Sequence, residues 1–231
     1  MPPRSAPRDS ALRRIGVLGD VHCQSALLQS ALAHFERERV EAVLAVGDLV
    51  DGPGDANETI ALLKRAKVLA VSGNHERWLL TNTLRELPDA TPESTLNAAS
   101  IRYLRALPKT RDLGTVAGLL LLCHGLGEND FTGIRPDEPE QFVRELPEVS
   151  ALEACQRYAF VLNGHTHRPM IRKVRSFIVL NAGTLLPGHR PVCSVLDFEQ
   201  RRMTLCDVTP SGVSPAADWS LDSRSALDTG R

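Results

Sequence analysis

The chain has 231 residues, enough for one large domain or two small ones, and its 42% hydrophobic and 24% charged side chains exclude a wholly disordered polymer. Its 27 basic and 28 acidic residues leave a net charge of −1, so no global electrostatic footprint points to nucleic acid or to an anionic membrane. Five scattered cysteines (Cys23, Cys123, Cys155, Cys193, Cys206) form no CxxC pair, which argues against a disulfide framework or a thiolate zinc knuckle and for a reducing compartment.

No apolar run approaches the roughly 20 residues of a membrane helix. The start, MPPRSAPRDSALRR, lacks the apolar stretch of a signal peptide, so the expectation is a cytoplasmic protein without a membrane partner. Residues 1–14 and 209–231 are polar and aperiodic and read as a flexible N-terminal tail and a polar C-terminal extension, with a single domain over 15–208 between them.

In chain order, IGVLG at 15–19 is a short apolar run ending in Gly and Asp, the pattern of a buried strand. Leu27, Leu28, Ala31, Leu32 and Phe35 then recur at helical spacing, and that face is expected to be core. AVLAV at 42–46 is a second strand, 58–67 a second helix and VLAV at 68–71 a third strand, completing the βαβαβ pattern of parallel strands with crossover helices. Helical spacing returns at 76–84 and 94–107, each run stopped near a proline (Pro88, Pro108), before the strand GLLLLC at 118–123. The segment 126–159 is irregular and acidic, with one helix expected and a solvated face or lid rim as its role. From 160 onward FVLN, IRKV, FIVLN, VCSVLDF and RMTLCDV read as strands with short turns, a hairpin-rich half beside the parallel one.

The chemistry lies at the strand ends. His22, His75, His124, His165 and His167 each follow a strand within GDVH (19–22), GNHE (73–76), CHG (123–125) or GHTH (164–167), and GDLVD (47–51) adds two carboxylates; only His34 and His189 lie elsewhere. Ligands of open α/β sheets collect beyond the carboxyl ends of the strands, so these turns are placed to converge on one cleft. Carboxylate, imidazole and one amide oxygen suit divalent first-row metals, and there are too many donors for a single tetrahedral zinc. Two metals a few ångströms apart would use them all. A lone Gly-Asp turn is often only a helix cap, and a lone buried His is usually a satisfied core residue; the ordered series is what carries the reading.

That ordered series, from about Ile15 to Asp207, resembles the calcineurin-like metallophosphoesterases, and the compact size with GHTHRP followed by NAGT (181–184) is similar to their small prokaryotic branch. The resemblance implies an α/β fold, a sandwich of two mixed β-sheets flanked by α-helices. It places Asp20, His22 and His167 on one metal and Asn74, His124 and His165 on the second, with Asp48 bridging. Manganese is the foremost cofactor, with iron, zinc, nickel and cobalt as alternatives. It also implies a bridging hydroxide as nucleophile, His75 as proton donor to the leaving group and Asp51 as the group holding its imidazole. The function implied is metal-dependent hydrolysis of phosphomonoesters or phosphodiesters, with a small soluble phosphate ester as substrate. A non-catalytic scaffold on the same fold and a nuclease are the alternatives; nucleic acid is disfavoured by the neutral charge, and a homo-oligomer is left open.

Two departures accompany the resemblance. The phosphoprotein phosphatases have arginine directly after the position of Asp51, where this chain has Gly52, and NAGT stands where the prokaryotic branch commonly has NPGS. Arg77 and Arg168, beside motif residues, are candidate phosphate ligands or else surface arginines paired with carboxylates. Cys23 and Cys123 flank His22 and His124 but are expected to point into the core, since adjacent strand residues face opposite ways.

Overall fold

The alternation in β1 (Arg14–Leu18) decides the layering of the molecule, a computed structural model that describes residues 11–226. Ile15 and Val17 point one way, into a fully buried layer with Leu44, Val46, Leu120, Leu122, Phe160, Leu162, Leu180 and Leu196. Gly16 and Leu18 point the other way, towards the helix α1 (Ser25–Arg37). A Cβ on residue 16 would sit 2.6 Å from the Phe35 ring, so the glycine is what lets α1 lie flat on the sheet.

Two six-stranded sheets enclose that layer. The first has the order β11-β10-β9-β1-β2-β3, where β2 is Ala42–Ala45, β3 Leu69–Ala70, β9 Val192–Asp197, β10 Arg202–Thr209 and β11 Gly212–Ser220. β1, β2 and β3 are parallel, and β9, β10 and β11 add on antiparallel. The second has the order β12-β7-β8-β6-β5-β4, with β4 Arg111–Thr115, β5 Gly118–Leu122, β6 Phe160–Asn163, β7 Met170–Val174, β8 Phe177–Asn181 and β12 Ser225–Ala226. Here β5, β6 and β8 are the parallel core. Both sheets are therefore mixed, as expected, and each fully buried Leu, Ile or Phe between them contributes about 1.5–3 kcal/mol.

Helices cover the outer faces. α1 and α2 (Ala56–Arg65) pack on the first sheet through Leu28, Ala31, Phe35 and Leu63, so the leucine-rich face of α1 is core. Asp55 caps α2, its carboxylate accepting from the Asn57 and Glu58 amides. α3 (Asn74–Thr81) and α4 (Ala98–Arg105) form a satellite layer around Cys23, Val50, Ile60, Leu79 and Leu104. α5 (Glu140–Glu145) and α6 (Pro147–Cys155) pack on the second sheet through Val143, Val149 and Leu152.

Several elements differ from the sequence expectation. The helix expected over 94–107 begins only after Asn97, whose side chain accepts from the Ser100 amide; residues 93–95 form a separate 3-10 turn. The irregular segment 126–159 holds two helices rather than one, because Leu146 is extended and Pro147 opens a new helix at its first turn. β4 carries too little apolar alternation to be read in advance. The polar C-terminal extension is corrected over 209–226: β11 completes the first sheet against β10, and β12 pairs with β7. An edge strand is held by backbone hydrogen bonds and needs few apolar side chains: Ala217 and Trp219 meet the layer between the sheets, and Val213, beyond a register shift in the ladder, meets the helix side. Most of the N-terminal tail, residues 1–10, and residues 227–231 lie outside the described residues. Among the described residues no helix is long and apolar enough to cross a membrane.

Candidate metal centre

The motif turns follow the carboxyl ends of β1, β2, β3, β5 and β6, which brings five turns from two sheets together. The NAGT segment ties the two sheets at this point. Thr184 donates its hydroxyl to the Asp20 carbonyl at 2.8 Å, and the Leu185 amide donates to the same oxygen. The Asn181 amide donates to the Gly164 carbonyl at 2.6 Å, fixing the GHTH turn.

The backbone of these turns is unusual. His22, Asp48, Asp51, His165 and His167 all have φ between 46° and 64°, the left-handed region in which His, Asp and Asn are enriched among residues other than glycine. Each reversal turns a side chain inward from a strand end. Gly73 and Gly164 make the room: a Cβ at either would lie 2.2 Å from a carboxylate oxygen, of Asp48 and Asp20 respectively.

All seven sequence-expected ligand residues meet there. Asp20, His22, Asp48 and His167 form one donor group and Asp48, His124 and His165 another, with the ligating atoms of each within 4.8 Å of one another. Asp48 belongs to both. Asn74 joins the second, its Oδ1 lying 2.9 Å from His124 Nε2 and 3.0 Å from His165 Nδ1. Except for His165 and His167, which are partly exposed, these residues are buried.

The hydrogen bonds fix which imidazole nitrogens face inward. His22 donates from Nδ1 to the Asp51 carbonyl at 2.8 Å and His124 from Nδ1 to the Val46 carbonyl at 2.9 Å, so both rings turn Nε2 to the cleft. His22 Nε2 is 3.2 Å from His167 Nε2. The buried Asp20 Oδ2 accepts no hydrogen bond, although His167 Nε2 is 3.0 Å away. Lone pairs converging on a shared point, with a buried carboxylate oxygen unsatisfied, fit a cation between them.

Electrostatics agree. Burial lowers the His124 imidazole, but the Asp48 and Asp20 carboxylates outweigh it and push it up to about 10. Burial would likewise raise Asp48, yet the facing His124, His75 and His22 hold it far below the usual carboxylate range. The site is built to stabilise positive charge.

Beside the donor groups, His75 Nδ1 lies 2.8 Å from Asp51 Oδ2, while its Nε2 faces the cluster, 3.9 Å from Asp48 Oδ2. Burial lowers the His75 imidazole, and the Asp51 hydrogen bond and nearby carboxylates raise it to a net increase. Asp51 is itself clamped. Arg85 donates to both its oxygens, at 3.0 and 2.6 Å, and the Thr91 amide donates to Oδ1 at 2.8 Å. Burial would raise this carboxyl, but His75 and Arg85 hold it at about 2.

Three residues of this array were not identified from sequence. Glu76 is fully buried and accepts four backbone amides, from Leu49 and Val50 at Oε1 and from Asp48 and Gly73 at Oε2, so it lashes the Asp48 turn to the start of α3. Its only sequence signal was its place in GNHE. Arg85 and Thr91 lie in an irregular loop far along the chain from Asp51 and carry no local signal. The departure at Gly52 has a steric reason: a Cβ there would lie 1.9 Å from the His22 carbonyl oxygen. Arg77 forks Asp130 and Arg168 meets Asp137 at 3.3 Å, so both are surface arginines paired with carboxylates. Cys23 and Cys123 are buried outside the donor groups, and burial pushes each thiol up to about 12.

Residues 14–201 match the model of the calcineurin-like phosphoesterase superfamily domain. An uncharacterised protein of Methanocaldococcus jannaschii is 22% identical over 178 residues, covering 74% of this chain and 69% of that protein. Among solved structures, a metallophosphoesterase from Sphaerobacter thermophilus superposes with a TM-score of 0.65 at 19% identity, covering 86% of this chain and 88% of the other. A hypothetical protein from Pyrococcus horikoshii gives 0.66 at 18% identity, with coverage of 84% and 87%. At these identities the structural likeness bears on the fold.

Proposed function

The chain belongs to the calcineurin-like phosphoesterase superfamily, and from that premise we propose that it is a metal-dependent hydrolase of phosphomonoesters or phosphodiesters, acting on a small phosphate ester at a two-metal site. The observation that carries the reading is the pair of donor groups sharing Asp48, with the His75–Asp51 pair beside them.

Asp20, His22 and His167 would hold one divalent ion and Asn74, His124 and His165 the other, with Asp48 between them; an oxygen- and nitrogen-rich set of this kind suits manganese foremost, and iron, zinc, nickel or cobalt also. Two such ions would supply charge neutralisation for the phosphoryl oxygens and a lowered pKa for a nucleophilic water. His75, tied through Nδ1, presents Nε2 to the leaving oxygen and donates its proton there. Asp51 orients the imidazole and favours its charged form, while Arg85 and Thr91 keep Asp51 in place. Glu76 holds the Asp48 turn and touches no substrate.

A panel of p-nitrophenyl monoester and diester substrates, run after exhaustive dialysis against EDTA and again with Mn²⁺, Co²⁺, Ni²⁺ or Zn²⁺, tests the reading. Turnover should vanish on chelation and return with metal. Full hydrolysis in EDTA would sink the two-metal assignment. Bound metal with no hydrolysis of any ester would favour a non-catalytic scaffold instead, and cleavage confined to DNA or RNA a nuclease.

A further inference from the structure

Four rings run in a chain along the rim of the cleft. His75 and Trp78 lie 4.8 Å apart between ring centroids, Trp78 and Phe131 6.1 Å, and Phe131 and His165 5.0 Å. The chain begins at the group assigned to protonate the leaving oxygen and ends at a residue of the second donor group. Trp78 is half-buried, but Phe131 is 58% exposed.

That exposure is held in place by the fold. Asn129 accepts from the Phe131 and Thr132 amides at 2.9 and 3.1 Å, and its own amide donates to Glu148 at 2.7 Å. Leu126 and Asn129 exchange backbone hydrogen bonds, closing the turn from below. The residues next to the two rings in sequence then lock them side by side: Arg77, preceding Trp78 on α3, donates to both carboxylate oxygens of Asp130, preceding Phe131, at 2.6 and 2.8 Å. An apolar ring displayed on a pinned turn, joined by a forked ion pair to a second ring at the catalytic cleft, has the construction of a binding surface.

We propose that Trp78 and Phe131 form the leaving-group subsite, and that the esters this site hydrolyses carry a planar ring on the leaving alcohol. The inference rests on the phosphoesterase reading above, and it names the substrate class. His75 presents Nε2 towards the leaving oxygen, so whatever that oxygen carries extends over the face adjoining His75, which is where the two aromatic rings stand. A flat apolar group there covers the exposed Phe131 ring and stacks on it or meets its edge, whereas a small polar alcohol leaves the ring in water.

The test uses the full-length, Mn²⁺-loaded protein and two phosphomonoesters, 2-phenylethyl and 2-cyclohexylethyl phosphate, together with their methyl diesters. The leaving oxygens are chemically alike and the groups similar in size, so the pairs differ mainly in planarity. The phenyl member should have a kcat/KM about three- to tenfold higher. Phe131→Ala should bring that ratio towards one with metal content retained, and Asp130→Ala, which keeps both rings but unlocks the turn, should reduce it partway. Calorimetric Kd values for the two corresponding phosphonates should show the same preference and the same loss in Phe131→Ala. A wild-type ratio of one, or a ratio unmoved by Phe131→Ala, overturns the subsite. If neither these esters nor p-nitrophenyl esters are turned over, the hydrolase reading fails separately, and the phosphonate affinities still decide whether the rings select a planar group.

Discussion

Removing the His75 imidazole isolates the proton-transfer step from metal binding. His75 is outside both donor groups, with Nδ1 committed to Asp51 and Nε2 facing the cluster, so His75→Ala should retain both metals by elemental analysis. A positioned general acid contributes about 10²–10⁴ in rate, and only where the leaving oxygen needs a proton. An alkyl phosphate should therefore slow by that factor, while p-nitrophenyl phosphate, whose leaving oxygen is stable unprotonated, should slow by less than about tenfold. Asp51→Asn tests the next link. It replaces the charged acceptor of a 2.8 Å hydrogen bond with a neutral one, a difference of about 1–1.5 kcal/mol, or roughly tenfold on the alkyl ester. Because Asp51 acts through His75, the double variant should be little slower than His75→Ala alone. Initial rates on both esters at saturating Mn²⁺ give the comparison. Equal slowing of the two esters, or loss of metal from His75→Ala, would refute the reasoning and leave His75 as a ligand or a phosphate-binding group.

Asp48→Asn removes the one carboxylate shared by both donor groups, so elemental analysis should find that both ions fall together; two ions per chain in that variant would show that Asp48 is not the bridge. Cys123→Ser should leave metal content and turnover nearly unchanged, because the thiol lies in the outer core and donates to the Gly125 carbonyl, a bond that serine can keep; metal loss with an intact circular dichroism spectrum would place the side chain on the other face. Acid stability is set partly by Asp51, whose folded value of about 2 lies below the ordinary 3.8. A depressed carboxyl stabilises the fold fully above its unfolded value and loses that contribution as pH falls through the folded one. About 2 kcal/mol should therefore disappear between roughly pH 4 and pH 2. Urea midpoints in EDTA should fall more steeply over that window for the native chain than for Asp51→Asn, and parallel slopes would contradict the assignment.

Much of the candidate site was legible in the sequence because its donor residues come from tight turns at strand ends. Asp20 and His22, Asp48 and Asp51, and His165 and His167 are local pairs, and the short apolar runs before them mark the parallel strands. Short apolar runs such as IGVLG and FIVLN also placed most of both sheets. Where pattern was weak the reading stopped. β4 offers one leucine, and the alternation of β11 is broken by a register shift at a sheet edge, where the ladder to β10 is made by backbone groups common to every residue.

The contacts that complete the site belong to tertiary structure. Asp51 and Arg85 are 34 residues apart, Arg77 and Asp130 53, and Thr184 and Asp20 164, and no local periodicity encodes such pairings. Glu76 was visible inside GNHE, but its four backbone partners, and hence its part in holding the Asp48 turn, follow only once β2 and β3 lie side by side. Nothing in the sequence links Trp78, on α3, with Phe131, whose rings are neighbours only where Arg77 forks Asp130. Sequence thus determined which donor types sit at which strand ends, because that information is local. Which sheet edges meet, and which distant side chains clamp the resulting array, was decided by packing two sheets face to face, since only that burial brings those segments within hydrogen-bonding distance.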